Sequence, residues 1–315
     1  SLISIRHATY LPNPTLRPQS PLATVQYDAP RYRAAMTLHG ATSFFTMTEA
    51  QQQSMEVQNR CRAAAIKSKR QLIFSHLTAL QLHGLRAVMR TSLDTAALHI
   101  TVDSDTKKSH ITGITEHCWH GEMTHSFVDD LILAVSVEQA ICQIARFTDL
   151  DSLVIAMDWL TCHHPQLRQT THQRLSDYIH GLGRFAGAPR CRAALKLSMD
   201  GTDSPQETVL RLKLLEHGLR APTVNHPIFD EADGSTMRVD MAYAPERVAI
   251  EYDGEYHYDK QRWRYDAFKR NRLQDLHWRV LVATKQDMRS SYHIDRFIRM
   301  VIHAIHDARD QGAHA

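Results

Sequence analysis

The run RVAIEYDGEYHYD, residues 247–259, constrains this chain more than any other stretch. Val248, Ala249 and Ile250 suit a buried strand, yet the run continues with Glu251, Asp253 and Glu255 along the strand and its exit, and His257 just beyond. Carboxylates taken out of water without partners are costly. Two of them held about 4 Å apart repel by roughly 4 kcal/mol at an effective dielectric of about 20. A fold that buries this run must therefore bring something positive to the carboxylates. Successive strand residues point to opposite faces, so Ile250 and Tyr252 share one side while Ala249, Glu251 and Asp253 share the other.

The flanking segments define the fold around this run. TVNHPIF, TMRVDMAY and RVAIEYD read as three strands joined by DEADGS and APE as hairpin turns. Asp240 lies within RVDMAY, with Val239 and Met241 on the opposite face, and the short APE connection brings it beside Glu251. Upstream, SPQETVLRLKLLEHGL carries Ser204 as N-cap, Pro205 at the first helical position, Glu207 three residues after the cap, and Gly218 at the stop. Glu207 joins the acidic group if that helix packs across the same face. A helix from about Lys260 to Leu276, the strand WRVLVAT and a helix from about Tyr292 to Ala308 complete the order. The expected fold class is mixed α/β (α+β), with helices on both faces of the sheet.

Before this domain, expected over 204–310, the chain divides into three parts. Residues 1–30 hold five of the 11 prolines and read as an extended arm. Residues 31–135 read as a small α/β region: a helix from Glu49 to about Lys69, SHLTALQLHGL as a short helix capped by Ser75 and stopped by Gly84, and ALHITVDSD and HITGITEHCW as strands with a Lys107–Lys108 turn between them. Residues 136–200 show helical spacing throughout, and DGTDS at 200–204 is the clearest linker. The five cysteines are scattered, with no C-x-x-C pair, and read as reduced thiols. Cys162, His163 and His164 are adjacent, and neighbours in sequence do not share a helix face, so TCHH reads as a helix end before Pro165. No window approaches a membrane span and no basic-then-apolar leader opens the chain, so a cytoplasmic protein without membrane contact is expected.

Asp240, Glu251 and Asp253 on one face make a hard, all-oxygen cation site suited to Mg2+ or Mn2+. Hydrolysis of a phosphodiester is the chemistry such a site supports, with His257 as a proton shuttle or further ligand. Lys260, Arg262, Arg264, Lys269, Arg270 and Arg272 on the next helix provide cations for a nucleic-acid backbone, and Trp263 and Tyr265 could stack on bases. A formal charge of only +3 places any such surface in local clusters and not in bulk charge. Each residue also has a plainer role: Glu207 as half of a capping box, Asp240 paired with Arg238 or Arg247, the arginine-rich helix as a solvated face.

The strings SPQETVLRLKLLEHGLRAP, RVDMAYAPERVAIEYDGEYHY and RYDAFKRNRLQDLHWRVLVAT, in that order, resemble the PD-(D/E)xK nuclease superfamily. More narrowly they are similar to the domain of unknown function 559 family, relatives of very-short-patch repair endonucleases. The resemblance covers roughly 204–310 and implies a restriction-endonuclease-like αβββαβ core. It implies Asp240 and Glu251 as acidic metal ligands, Glu207 as the helical acid, and Asp253 with His257 as a variant third motif. The superfamily's usual lysine, two residues after the second acid, is here Asp253, and His277 stands where relatives commonly have glycine. FSHLTALQLHGL, LHITV and SVEQAICQIAR resemble the N-terminal part of actinobacterial abortive-infection-type antitoxins, which implies a toxin–antitoxin partner. Two functions follow as expectations: a metal-dependent DNA endonuclease, or a catalytically degenerate nuclease fold serving as a DNA-binding antitoxin or regulator.

Overall fold

A computed structural model describes residues 42–68, 70–85, 89–105, 111–254 and 260–312, without the side chains of 42–54, 260–264 and 312. The expected arm at 1–30, the Lys107–Lys108 turn, Glu255 and His257 lie outside the described residues. The chain is of mixed α/β class, with two mixed sheets among the described residues. From Thr42 it runs through α1 (Thr42–Lys67), β1 (Ile73–Phe74), α2 (His76–Leu82), β2 (Leu98–Val102), β3 (Ile114–Cys118), β4 (His125–Phe127) and β5 (Leu133–Val135). Four helices follow: α3 (Val137–Ile144), α4 (Leu150–Leu160), α5 (His172–Gly181) and α6 (Ala188–Leu197). Ser136, Asp149 and Thr171 each accept a backbone N–H at the start of α3, α4 and α5, satisfying donors that a helix start leaves bare.

The first sheet has the order β3-β2-β1-β5-β4. Strands β2 and β3 pair in parallel, Leu98 opposite Ile114 and Val102 opposite Cys118. A tight two-residue turn joins antiparallel strands only, so β2 and β3 are not the two arms of a hairpin. Helices α3 to α6 do not have a core of their own. One apolar cluster runs from Val57 in α1 through Phe74, Ile100 and Val135 to Ile141, Trp159, Ile179 and Leu195.

After residue 204 come α7 (Pro205–Glu216), β6 (Thr223–Asp230), β7 (Ser235–Tyr243), a 3-10 turn at Ala244–Glu246, β8 (Val248–Asp253), α8 (Lys260–Asp275), β9 (Arg279–Thr284) and α9 (Ser291–Gly312). The helix, three-strand, helix, strand, helix order is that read from the sequence. The sheet order is β6-β7-β8-β9, with β8 and β9 parallel and the other pairs antiparallel. Alternation along β8 sorts the faces. Val248 and Ile250 pack under α7 and α9 with Leu210, Leu214, Phe297 and Val301, whereas Ala249 packs with Leu273 of α8. Pro227, which cannot donate to a ladder, sits in the edge strand β6.

Helix α7 fastens the two parts together. Its Leu212 belongs to the first core and its Leu210 and Leu214 to the second. Between them Arg211, 1% exposed, donates to Asp158 Oδ2 of α4 at 2.5 Å and to the Leu197 carbonyl at 2.7 Å. The Thr208 hydroxyl and the Met199 N–H also donate to Asp158. Burial raises the Asp158 carboxyl above its ordinary range, outweighing the lowering by Arg211 and these hydrogen bonds.

Candidate functional site

Asp240 sits where the sheet loses its regular pairing on both sides. Toward β6, pairing runs at Val224–Met241 and His226–Val239 but skips Asn225, which takes φ 46°, a left-handed conformation that asparagine tolerates better than most residues. Toward β8, pairing extends through Met241–Ile250 and goes no further. Beyond that point the Tyr252 N–H donates to Asp240 Oδ2 at 2.7 Å. The gap thus makes room for a side-chain carboxylate within the sheet.

Among the described residues, three further acids and Lys269 lie around this gap, and the Arg238 charge reaches Asp203. At the start of α7, Ser204 Oγ accepts the Glu207 N–H at 3.2 Å, and Glu207 Oε2 accepts the Asp203 N–H at 3.0 Å. The capping role read from the sequence is therefore real, and it also locks Glu207 beside Asp240. Asn225 Nδ2 donates to Asp203 Oδ2 at 3.1 Å and to the Gly201 carbonyl at 3.2 Å, tying the 200–204 segment to the sheet. Glu251, across from Asp240, is ion-paired with Lys269 of α8, the two side chains 20% and 16% exposed. Lys269 lies one helical turn before Leu273, the α8 residue buried on this face, which explains why the helix delivers an ammonium here.

Lys269 beside Glu251 and Arg238 near Asp203 do not balance the four acids described here, which leaves an excess of negative charge. Burial first, and then the charges of Glu207 and Glu251, push the Asp240 carboxyl well above its ordinary range, against the Tyr252 N–H that lowers it. Burial and the Asp203 charge raise Glu207 to about 7. Asp203 is likewise raised to about 7 by burial and the Asp240 charge. Burial works to lower Lys269, but the Glu251 charge and hydrogen bond, with the Asp240 charge, outweigh it and raise the ammonium instead. The lysine is therefore a fixed positive charge. No three of Asp203, Glu207, Asp240, Glu251 and Asp253 present ligand atoms all within 4.8 Å of one another. Protons now relieve a repulsion that a divalent cation could relieve instead. The donor set, all carboxylate oxygen and over-supplied with negative charge, fits a hard ion such as Mg2+ or Mn2+.

The structure redistributes the residues expected here. Glu207, Asp240 and Glu251 come together. Asp253 is exposed at the end of β8 and does not join them, because the inward residues of this face end at Glu251. Neither Arg238 nor Arg247 pairs with Asp240: Arg238 donates to the Asn225 carbonyl and Arg247 to the Leu276 carbonyl. Among the expected backbone-binding cations, Lys269 belongs to the acidic group, Arg272 pairs with the buried Asp230, and Arg270 is exposed. Lys260, Arg262 and Arg264 lie on the first turns of α8, with side chains outside the description. Two participants were not anticipated. Asp203 looked like linker, although its place directly before an N-cap puts it at a helix start. Lys269 stands among the cations expected for a nucleic-acid backbone, although its i, i+4, i+7 spacing with Leu273 and Leu276 marks the inward face of α8.

A stretch of 104 residues is 30% identical to a Mycobacterium tuberculosis protein described only as uncharacterized, found in strain CDC 1551 / Oshkosh and in strain H37Rv. The match covers 33% of this chain and 38% of each relative. Compared with family models and with solved structures, the chain matches none. No helix of the described residues is long and apolar enough to cross a membrane.

Proposed function

We propose that this chain is a divalent-metal-dependent nuclease that hydrolyses phosphodiester bonds in DNA. The observation that carries the reading is the meeting of Glu207, Asp240 and Glu251 with Lys269 at the gap in the second sheet. Asp240 and Glu251 would hold the ion, with Glu207 at its side, and Mg2+ or Mn2+ bound there would polarise a phosphoryl oxygen and favour an attacking water. Lys269, fixed against Glu251, supplies the positive charge that the nuclease superfamily usually draws from the strand position occupied here by Asp253. Charge developing on the phosphate in the transition state would meet that ammonium already in place. On the outer surface of α8, Tyr265 and Phe268 are more than half exposed and Arg270 is exposed beside them, a surface suited to a nucleic-acid strand.

The test is incubation of the purified chain with plasmid and short duplexes in Mg2+ or Mn2+, beside Asp240→Asn, Glu251→Gln and Lys269→Met. Cleavage that depends on metal and falls at least a hundredfold, by the order of effect expected for a group stabilising transition-state charge, supports the reading. Equal nicking by wild type and all three variants removes it.

One observation favours a second reading, a degenerate nuclease fold acting as a DNA-binding antitoxin or regulator. Glu251 is already neutralised by Lys269, and the carboxylates do not draw together as three ligands on one ion would. Titration calorimetry with Mn2+ separates the two, because a degenerate site takes up no ion while duplex binding persists without metal.

A further inference from the structure

A second cluster lies in the first sheet, far along the chain from the carboxylates and independent of the reading above. Strands β2 and β3 are parallel and end together, Val102 opposite Cys118, and the Trp119 N–H extends the ladder to the Val102 carbonyl at 2.9 Å. The carboxyl ends of these two strands therefore lie side by side, and the segments that leave them start from one spot. Here that spot gathers Asp105, three residues past β2, with Cys118 and His120 at the end of β3. One potential ligand atom from each lies within 4.8 Å of the others. Cys118 and His120 are two residues apart, and their side chains meet. The thiol sulfur is 3.6 Å from His120 Nε2 and 3.7 Å from Nδ1. A tetrahedral zinc with its usual bond lengths to sulfur and imidazole sets those two atoms about 3.6 Å apart.

The three residues line a pocket of about 590 Å3 that also takes in His76, Gln143 and Arg146. Two features of its wall point to a ligand. Gln143, 2% exposed, uses its carbonyl oxygen to accept the His76 N–H, while its Nε2 is buried with no hydrogen-bond partner. His76 is buried, stacks on His117 with ring centroids 3.7 Å apart, and holds φ 52°, a left-handed conformation that side chains other than glycine adopt only under strain.

We propose that Asp105, Cys118 and His120 form a binding site for Zn2+ or a similar borderline-soft transition ion, with its fourth position open to this pocket. A thiolate, an imidazole and one carboxylate select such an ion over Mg2+ or Mn2+, which the all-oxygen site would prefer. Three protein ligands with one open position is the arrangement of reactive zinc sites and not of closed structural ones.

The test is titration of the full metal-free chain with Co2+, followed by its absorption spectrum, and then displacement by Zn2+. The expected result is one equivalent of Co2+ giving tetrahedral visible bands and a sulfur-to-cobalt charge-transfer band in the near ultraviolet. Cys118→Ser should abolish that band while circular dichroism stays native, and His120→Ala and Asp105→Asn should each weaken binding by more than about tenfold. Asp240→Asn should leave the band intact, so failure here and failure of the carboxylate site are told apart. Absence of a charge-transfer band, or its persistence in folded Cys118→Ser, would overturn the proposal.

Discussion

Lys269 shows how much one side chain decides. With Glu251 it forms a pair largely removed from water, and such a pair is worth more broken than formed: the survivor is left buried with its charge. Lys269→Met is therefore expected to cost roughly 1.5–3 kcal/mol, read as a lower urea midpoint at unchanged slope. Asp203 and Glu207 make a prediction of the opposite kind. Their ordinary values of 3.8 and 4.5 are raised to about 7 in the folded chain, so between those limits the folded state holds more protons than the unfolded. Their contribution to stability is full below the ordinary values and lost as pH rises through about 7. His76, His83 and His99, lowered by burial, work the other way at lower pH. The pair is isolated by comparing wild type with Asp203→Asn/Glu207→Gln. Between about pH 5 and pH 8 the variant should lose less stability, and added Mg2+ should stabilise wild type more at the upper end, where the carboxylates are free of protons. Equal pH dependence of the two proteins in thermal melts would refute this. Glu207 and Asp240 were legible because acids in capping and apolar-strand positions stand out. Asp203 and Lys269 were not, because each looks like ordinary surface until the partner across the fold is known.

At the scale of elements, caps and breakers carried most of the legible information. Ser204 and Gly84 mark helix ends in the sequence and again in the structure, whereas Ser75 stands at its helix start without a side-chain cap bond. The two- and three-residue strands β1, β4 and β5 are too short for any alternation to register, and whether β2 and β3 run parallel is decided by neighbours they meet only after folding. Gly187, which caps α6, is an element-level constraint that can be tested. Its φ is +92°, and an added Cβ would stand 2.5 Å from the Arg146 backbone nitrogen. Gly187→Ala should lose the roughly 1–3 kcal/mol expected of strained backbone plus the clash, whereas Gly183→Ala, at φ +66° in open space, should lose the backbone part alone. Denaturant melts of the two variants compare them directly, and equal losses would remove the clash from the account.

At the scale of the molecule, the Arg211–Asp158 pair joins the halves on either side of residues 200–204. Arg211→Met leaves Asp158 buried and unpaired, at an expected cost of roughly 3–5 kcal/mol. Asp158→Leu/Arg211→Met should cost less than the sum of the single changes, by a coupling of roughly 0.5–3 kcal/mol, yet not return to wild type, because the Met199 N–H and Thr208 hydroxyl lose their acceptor. Strict additivity in urea titrations would mean that the two do not act as a pair. What the sequence determined by itself is local: the helix caps, the order of elements after residue 204, and the carboxylates that end an apolar strand, all set by residues a few positions apart. What only the tertiary structure decided is which charges meet. Lys269 reaches Glu251, Asp203 reaches Asn225, and Asp105 reaches Cys118 and His120, because helix and strand packing closes distances that chain spacing leaves open. Desolvation, which gives those meetings their energy, exists only after the core has formed.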